Sequence, residues 1–510
     1  MGARVASAHE TASCERATIE RGTPSAELMR RAGEGAADLI ASRWERAALR
    51  GVAVHAGSGN NGGDGWVVAG SLAQRGFSVR VVETGSPRTD EARNARATAL
   101  ESGLLRKGNP ASTDGVVVDA LLGTGATGMP RGDVAKAIED VARAQENGAM
   151  VVALDLPSGL DATSGAHAGS VKADATVSFG NVKRGQLVAR EVCGEIVAID
   201  IGLDCGDQIE SHPLLVDHDW VFRCVPAIPA TAHKGTRKRL AIVGGGKGMA
   251  GAVILAGEGA LRAGIGLLRI VVAPGNEVAI HAGIPAAIVH TWPSGVTELN
   301  TLVENVDAMA IGPGLGRSPQ TRDLVERILL AWSGPTILDA DALNVFAGDV
   351  ESLGQLLSGR PAVITPHPAE LARLLSIDTQ QVVDNRFEIG GELARRIGAA
   401  VLLKGAPTVV FSPSGSRYVS ATGSAALATG GSGDVLTGIA GTLVAQMNDG
   451  RDRAAEAATC AAFIHGRAAE LLRFVRGIVL DDVLRVLPSA WNEEPQQLPD
   501  GVLAILPAAA

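Results

Sequence analysis

The chain is 510 residues long, 46% hydrophobic and 20% charged, with 64 Gly, 23 Pro and a formal net charge of -9. Apolar residues are too plentiful for a disordered chain, and the glycine surplus has no G-X-Y period, so collagen is excluded as well. An acidic chain with 3% aromatics lacks the basic patch and the stacking platform of a nucleic-acid binder, and the basic excess that holds a protein to an anionic membrane.

The five cysteines, Cys14, Cys193, Cys205, Cys224 and Cys460, are odd in number, widely spaced and never in C-x-x-C. Neither a disulfide framework nor a zinc site is expected, and a reducing cytoplasm fits best. No apolar run reaches the ~18 residues of a membrane span. No secretory leader is expected, because no apolar core precedes Glu10.

In chain order, Ala26–Trp44 has apolar residues at helical spacing. Gly51–Ala56 reads as a strand that enters the run Gly57–Gly65 (GSGNNGGDG), and Trp66–Arg75 as the following helix. Ser78–Glu83, Gly115–Leu122, Ala149–Leu156 and Ala175–Phe179 read as further strands. This repeated strand–loop–helix order predicts an α/β fold with a parallel, doubly wound sheet. Val216–Lys234, with Pro226 and Pro229, reads as a boundary.

A second α/β series follows. Arg239–Val243 runs into GGGKGMAG and a helix to Ala263, and Leu267–Ala273 is a strand. Val306–Ile311 leads to GPGLG, Pro335–Leu338 to DADALN and Ala362–Thr365 to PHPAE. Ala399–Lys404 and Thr408–Ser412 read as a strand pair before the Gly-rich stretch Thr422–Gly441. From Pro488 the composition predicts a loose tail. The expected division is 1–216, 217–492 and a tail over 493–510.

Two places carry chemistry. In the first domain, backbone NH groups of Gly57–Gly65 at a helix start suit an anion, and Asn60, Asn61 and Asp64 add side-chain oxygens. Asp119 and Asp155 end strands, where ligands of open α/β sheets collect. With Asn61 and Ser158 they make an oxygen-only set that suits an alkali or other hard cation better than zinc. In the second domain, GGSGD opens an apolar helix over Val435–Ala445. The NH groups of Gly431, Ser432 and Gly433 would face a transferring phosphate, with Asp434 placed to take a proton from an attacking hydroxyl.

The series LMRRAG, GSGNNGGDG, VDALLGTG, DLPSG, VKADATVSFG and VKRGQL, across residues 10–205, resembles the NAD(P)H-hydrate epimerase family. The resemblance implies a Rossmann-like three-layer αβα domain. It implies that Asn60, Asn61, Gly62, Gly63 and Asp64 bind the hydrated nucleotide, together with Gly123, Thr124, Gly125, Ala126, Thr127, Gly128, Met129 and Asp155. It implies potassium at Asn61, Asp119 and Ser158. Lys183 matches the family's lysine, although Arg184 stands where proline is common. An epimerase must break and re-form a bond at the hydrated ring carbon. Asp155 is the candidate proton carrier and Lys183 its electrostatic helper.

GGSGD resembles the closing motif of ribokinase-like enzymes. Together with HKG at His233–Gly235, Gly248–Gly266, GPGLG, DADALN, TPHPAE, LLKGAPTVV and GGSGDVLTG, it resembles the NAD(P)H-hydrate dehydratase family over residues 230–490. That implies a ribokinase-like α/β domain. Ala252, Gly314, His367 and Asp434 would contact the hydrated dinucleotide, and Lys404, Gly405, Ala406, Pro407, Thr408 and Gly433 the adenine nucleotide. Hydroxide is a poor leaving group at neutral pH, and phosphorylation turns it into a good one. ADP is the family's usual bacterial donor and ATP the alternative, with magnesium for the phosphoryl transfer.

Taken together, the resemblances imply a fused repair enzyme. It would epimerise the R and S hydrates of NADH and NADPH (NADHX and NADPHX) and dehydrate the S form at the expense of ADP. A cytoplasmic homo-oligomer without nucleic-acid or membrane partners fits. The competing readings are a ribokinase-like small-molecule kinase with an N-terminal regulatory nucleotide-binding domain, and a non-catalytic nucleotide sensor.

Overall fold

The computed structural model describes residues 2–108, 114–206, 211–447, 451–493 and 497–509. The chain divides into one unit of Met1–His212 with Gln497–Ala509 and another of Pro213–Gln496.

The first unit is built on an eight-stranded sheet. Its order is Val502–Leu506, Glu195–Ile199, Ala175–Phe179, Met150–Leu154, Val116–Ala120, Val52–Ala56, Val79–Glu83 and Arg106–Lys107. All neighbours are parallel except the first pair. Val52, Val54, Val116 and Val118 pack under Ile40, Trp66 and Leu72 from the helices on one face. Ala53, Val117 and Val151 pack on Ile138 and Val141 of helix Gly132–Glu146 on the other. Burial on both faces is why these strands read as unbroken apolar runs.

Several expectations need correcting. The Gly57–Gly65 run is not a loop ahead of a helix at Trp66. The helix spans Asn60–Gln74 and takes in most of the run. Its glycines let it lie against the sheet: a Cβ at Gly62 would collide with the Gly57 carbonyl.

Helix Ala8–Glu20 and strand Val5–Ala6 went unread. Ser7 and Glu10 form a capping box at the helix start, and the strand pairs in parallel with Val182–Lys183. The expectation of no disulfide also fails. Cys14 on this helix is bonded to Cys205, 191 residues away, a proximity that only the fold creates.

The tail is not loose. Val502–Leu506 pairs antiparallel with the sheet edge Glu195–Ile199, setting Ile505 opposite Val197, and Pro488 lies inside helix Leu480–Trp491. The composition is ambiguous there, and it is the open strand edge that orders the segment.

The second unit has a ten-stranded sheet in the order Leu214–Leu215, Arg417–Ser420, Thr408–Phe411, Ala400–Leu403, Ala362–Ile364, Thr336–Leu338, Ala308–Ile311, Arg239–Val243, Leu267–Val272 and Ile288–Thr291. Only the pairings on either side of Thr408–Phe411 are antiparallel. Helices Ala250–Arg262, Ser432–Gln446, Arg451–Glu470 and Leu480–Trp491 contribute to its main core. Within the stretch read as a linker, His218–Cys224 is a helix, capped by the Asp217 carboxylate on the Trp220 NH.

Candidate active sites

In the first unit, the carboxyl ends of three adjacent strands bring Asn61, Asp119 and Ser158 together. The Ser158 NH donates to Asp119 Oδ2 at 2.8 Å and its hydroxyl to Oδ1 at 2.6 Å. The Leu122 NH donates to Ser158 Oγ at 2.9 Å, and Asn61 Nδ2 to the Leu122 carbonyl at 2.9 Å. Asn61 Oδ1 is buried with no hydrogen-bond partner among the described residues. A buried carbonyl oxygen in that state is costly until a cation or donor takes it. Desolvation raises the Asp119 carboxyl above its usual range despite the donors from Ser158 and Leu121.

Asp155 sits beside this crevice with φ +65°, a left-handed conformation that is rare outside glycine and that collects at functional sites. It is held from several sides. Its NH donates to the Val177 carbonyl at 2.7 Å, its Oδ1 accepts from the Phe179 NH at 3.2 Å, and its carbonyl accepts from Gln186 Nε2 at 2.6 Å. Lys183 is fully buried, and its Nζ donates to Asp155 Oδ1 and, at 2.9 Å, to the Phe179 carbonyl. The strand pair Ala6↔Lys183 fixes the lysine backbone.

Two more carboxyls act on this pair. Asp64, buried in helix Asn60–Gln74, is raised well above its usual range by desolvation, then by Asp155 and Glu15, against Lys183. Glu15, on helix Ala8–Glu20, is raised by desolvation and then by Asp155. Lys183 thus holds the Asp155 carboxyl beside Asp64, whose burial strengthens its hold on a proton, so one crevice carries an acceptor and a donor.

The remaining candidates lie around them. Asn60 Oδ1 accepts from Thr89 Oγ1 at 2.7 Å, and Gly62 and Gly63 are buried in the first turns of the helix. Gly123 packs on Asn61, so that a Cβ there would stand 3.2 Å from the Asn61 Cβ. Thr124, Gly125, Ala126, Thr127, Gly128 and Met129 form a half-buried to exposed rim.

In the second unit, helix Ser432–Gln446 starts after Gly431, whose φ is +93°, a backbone state that a side chain would strain. A Cβ at Gly433 would stand 3.3 Å from Lys404 Nζ and 3.9 Å from Asp339 Oδ2, so helix start, lysine and aspartate converge. Buried Asp339 accepts from Lys404 Nζ at 2.8 Å, Thr365 Oγ1 at 2.8 Å and Thr437 Oγ1 at 2.7 Å. Desolvation opposes its charge, but Lys404 and the two hydroxyls outweigh it and hold the carboxyl below its usual range. Lys404 stays charged in turn. Its burial is outweighed by Asp339 and by Glu370, 3.7 Å away.

Asp434 is pushed up to about 7, first by desolvation and then by repulsion from Asp339, with Lys404 opposing. That places its titration where a general base works best at neutral pH. His367 caps helix Pro368–Leu375. Its Nδ1 accepts from the Ala369 NH at 3.2 Å, its Nε2 lies 3.4 Å from Glu370 Oε1, and desolvation lowers it first. Ala252 and Gly314 adjoin, since a Cβ at Gly314 would stand 3.1 Å from that of Ala252. Gly405, Ala406 and Pro407 turn into Thr408–Phe411, with Thr408 Oγ1 donating to the Gly405 carbonyl at 3.0 Å.

Sequence reasoning missed Asp339, Thr365, Glu370 and Thr437, although the first three stand in DADALN and TPHPAE and the fourth follows GGSGD. Glu15 carried no motif signal at all. Among the described residues no helix is long and apolar enough to cross a membrane.

Residues 240–487 match a family model described as NAD(P)H-hydrate dehydratase, and residues 25–185 one described as YjeF-related protein N-terminus. The chain is 37% identical over 485 residues to the bifunctional NAD(P)H-hydrate repair enzyme Nnr of Escherichia coli K12, covering 92% of this chain and 90% of that protein. It is 35% identical over 508 residues to the protein of the same name from Moorella thermoacetica, covering 92% and 93%. It is also similar to a solved structure, the ADP/ATP-dependent NAD(P)H-hydrate dehydratase of Bacillus subtilis co-crystallized with ATP and Mg2+. That match is 30% identical, with a TM-score of 0.49, over 55% of this chain and 97% of the other.

Proposed function

The chain belongs to the bifunctional NAD(P)H-hydrate repair enzymes, and on that footing we propose which residues of each unit carry its step. The first unit interconverts the R and S hydrates of NADH and NADPH. The second dehydrates the S form with ADP as phosphoryl donor.

The hydrated carbon bears a hydroxyl and the ring nitrogen. Opening the ring at that carbon–nitrogen bond moves a proton from the hydroxyl to the nitrogen, and closing on the other face moves it back. Asp155, held by Lys183, accepts the hydroxyl proton, and buried Asp64, raised well above its usual range, supplies one to the nitrogen, with Glu15 adding its charge to the same crevice. The rim from Gly123 to Met129 and the start of helix Asn60–Gln74 receive the dinucleotide.

Potassium fits the neighbouring set. Its donors are oxygens only, with one formal charge, and Asn61 Oδ1 lacks a hydrogen-bond partner. Asn61, Asp119 and Ser158 would hold it, and it would supply positive charge for the anionic nucleotide.

In the second unit Asp434 takes the proton of the substrate hydroxyl as the phosphoryl group arrives. The NH groups of Gly431, Ser432 and Gly433 and the Lys404 charge stabilise the developing negative charge. His367, Ala252 and Gly314 face the hydrate. Lys404, Gly405, Ala406, Pro407, Thr408 and Gly433 face the adenine nucleotide. Magnesium would come with the nucleotide's phosphates and neutralise their charge, because Asp339 is already occupied by Lys404 and two hydroxyls. The ring nitrogen's electron pair then expels phosphate as the carbon–oxygen bond breaks, and the adjacent ring carbon gives up a proton to form the double bond that restores the dihydronicotinamide.

The observation that carries this reading is Asp434, poised near neutrality over the Lys404–Asp339 pair at a helix start. Asp434→Asn should abolish return of reduced-nicotinamide absorbance and release of inorganic phosphate while R and S still interconvert, and Asp155→Asn should do the reverse. Loss of both activities in either folded variant would contradict the assignment, and a stable phosphorylated product would mark a kinase. The cytoplasm, where these dinucleotides turn over, is the proposed compartment, although the Cys14–Cys205 bond is of a kind rare in reducing compartments. Assembly into a homo-oligomer is proposed from the Gly/Ala-rich helices and is read by solution mass.

A further inference from the structure

Cys14 of helix Ala8–Glu20, Cys205 and His212 meet in the first unit. One atom from each, two sulfurs and a ring nitrogen, lies within 4.8 Å of the others. All three residues are buried, and the two cysteines are bonded to each other. A disulfide needs only two residues, so a buried imidazole against both sulfurs calls for a further reason. None of the three belongs to the crevice around Asp155.

Bonds other than the disulfide hold the group together. Arg4 Nη1 donates to the His212 carbonyl at 3.0 Å. Thr18 Oγ1 donates to the Cys14 carbonyl at 2.7 Å and accepts from the Asp204 NH at 2.9 Å. Arg21 Nη1 donates to the Asp204 carbonyl at 2.7 Å. The segment entering Cys205 is thus tied to the helix that bears Cys14, and both sulfurs stay near His212 when the S–S bond opens.

Two sulfurs and one imidazole suit a soft or borderline divalent ion. Tetrahedral zinc, with bonds of about 2.3 Å to sulfur and about 2.0 Å to nitrogen, needs these atoms roughly 3.5–3.8 Å apart. On reduction the sulfurs draw apart around the ion. Two thiolates cancel its charge and a neutral imidazole adds none, which offsets the cost of burying it.

We propose that Cys14, Cys205 and His212 alternate between a disulfide and a site for a thiophilic divalent ion of the zinc class, so that helix Ala8–Glu20 is clamped in both redox states. With a dithiol as reductant, its thiolate attacks one sulfur, the S–S bond breaks and a mixed disulfide forms. The reductant's second sulfur then closes on the first and leaves as part of a disulfide. Two electrons and two protons pass to Cys14 and Cys205. The ion takes both sulfurs as thiolates and releases those two protons, with His212 neutral as the third ligand and water completing the four.

The test reduces the full chain without oxygen, using a phosphine that takes its oxygen from water as the sulfurs take the protons, and titrates it with Co2+. Alkylation in denaturant should first show all five cysteines as thiols. One equivalent of Co2+ should then bind, with a thiolate-to-cobalt charge-transfer band and the intense visible bands of a four-coordinate ion, and Zn2+ should displace it. The unreduced chain should show neither band. Zn2+ should raise the melting temperature of the reduced chain and leave that of the oxidised chain unchanged. Cys14→Ser, Cys205→Ser and His212→Ala should each abolish the one-equivalent uptake, and Cys224→Ser should leave it intact. Circular dichroism before reduction reports folding, and His212→Ala, which keeps the disulfide, decides where a cysteine variant unfolds. A bond that resists reduction in the folded chain, a reduced chain that takes up no cobalt, or an uptake unchanged in His212→Ala overturns the proposal. None of this depends on which residues carry the repair chemistry.

Discussion

The neighbours of Asp434 disagree about its charge. Desolvation and Asp339 favour the neutral acid and Lys404 favours the anion, leaving a carboxyl that titrates at about 7. A general base must be deprotonated to act, so dehydration should fall about tenfold per pH unit below that value and level off above it. A pH–rate profile of the second unit checks this, and a flat profile from pH 5.5 to 8 would remove Asp434 as the base. Glu15 makes the matching case in the first unit. Glu15→Gln keeps the shape and removes the ionisable group that acts on Asp155, so epimerisation should slow and change its pH dependence while dehydration is untouched. An unchanged profile would leave Glu15 a bystander. These two residues mark the limits of reading a site from sequence. Asp434 is legible because GGSGD compresses the proposed anion hole and base into five positions. Glu15 reaches Asp155 only through helix docking, and Asp339 gains its role only when Lys404 arrives from a strand far along the chain.

Elements were legible where burial is two-sided. Val52–Ala56, Val116–Ala120 and Met150–Leu154 read as apolar runs because helices cover both faces of their sheet. The Asn60–Gln74 helix was cut short because glycine and asparagine are poor helix formers in isolation, and here packing against the sheet overrides propensity. Val502–Leu506 and Ala8–Glu20 were lost for a related reason. One is ordered by an open strand edge and the other by a strand pair, a cap and a disulfide. The disulfide gives a test at this scale. Closing so long a loop restricts the unfolded chain, so Cys14→Ser should cost the first unit about 2–5 kcal/mol of stability. Denaturant melts followed through epimerisation should shift, whereas melts followed through dehydration should not. Equal shifts in both would show that the bond does not act on the first unit alone.

At the scale of the whole molecule, the two units supply complementary chemistries on one chain, a proton carrier that scrambles epimers and a phosphoryl-transfer site that consumes one of them. That pairing was legible because each unit keeps its glycine-bearing turns at strand ends, where backbone can approach phosphate. The Cys14–Cys205 pairing was not, because sequence spacing says nothing about which distant segments meet. The most direct measurement is hydrate repair by the intact chain on a mixture of R and S hydrates with ADP, followed as recovery of reduced-nicotinamide absorbance. Complete recovery is the predicted result, with Asp155→Asn recovering only the S portion at first and Asp434→Asn recovering none. No recovery by the wild type with either ADP or ATP would contradict the account.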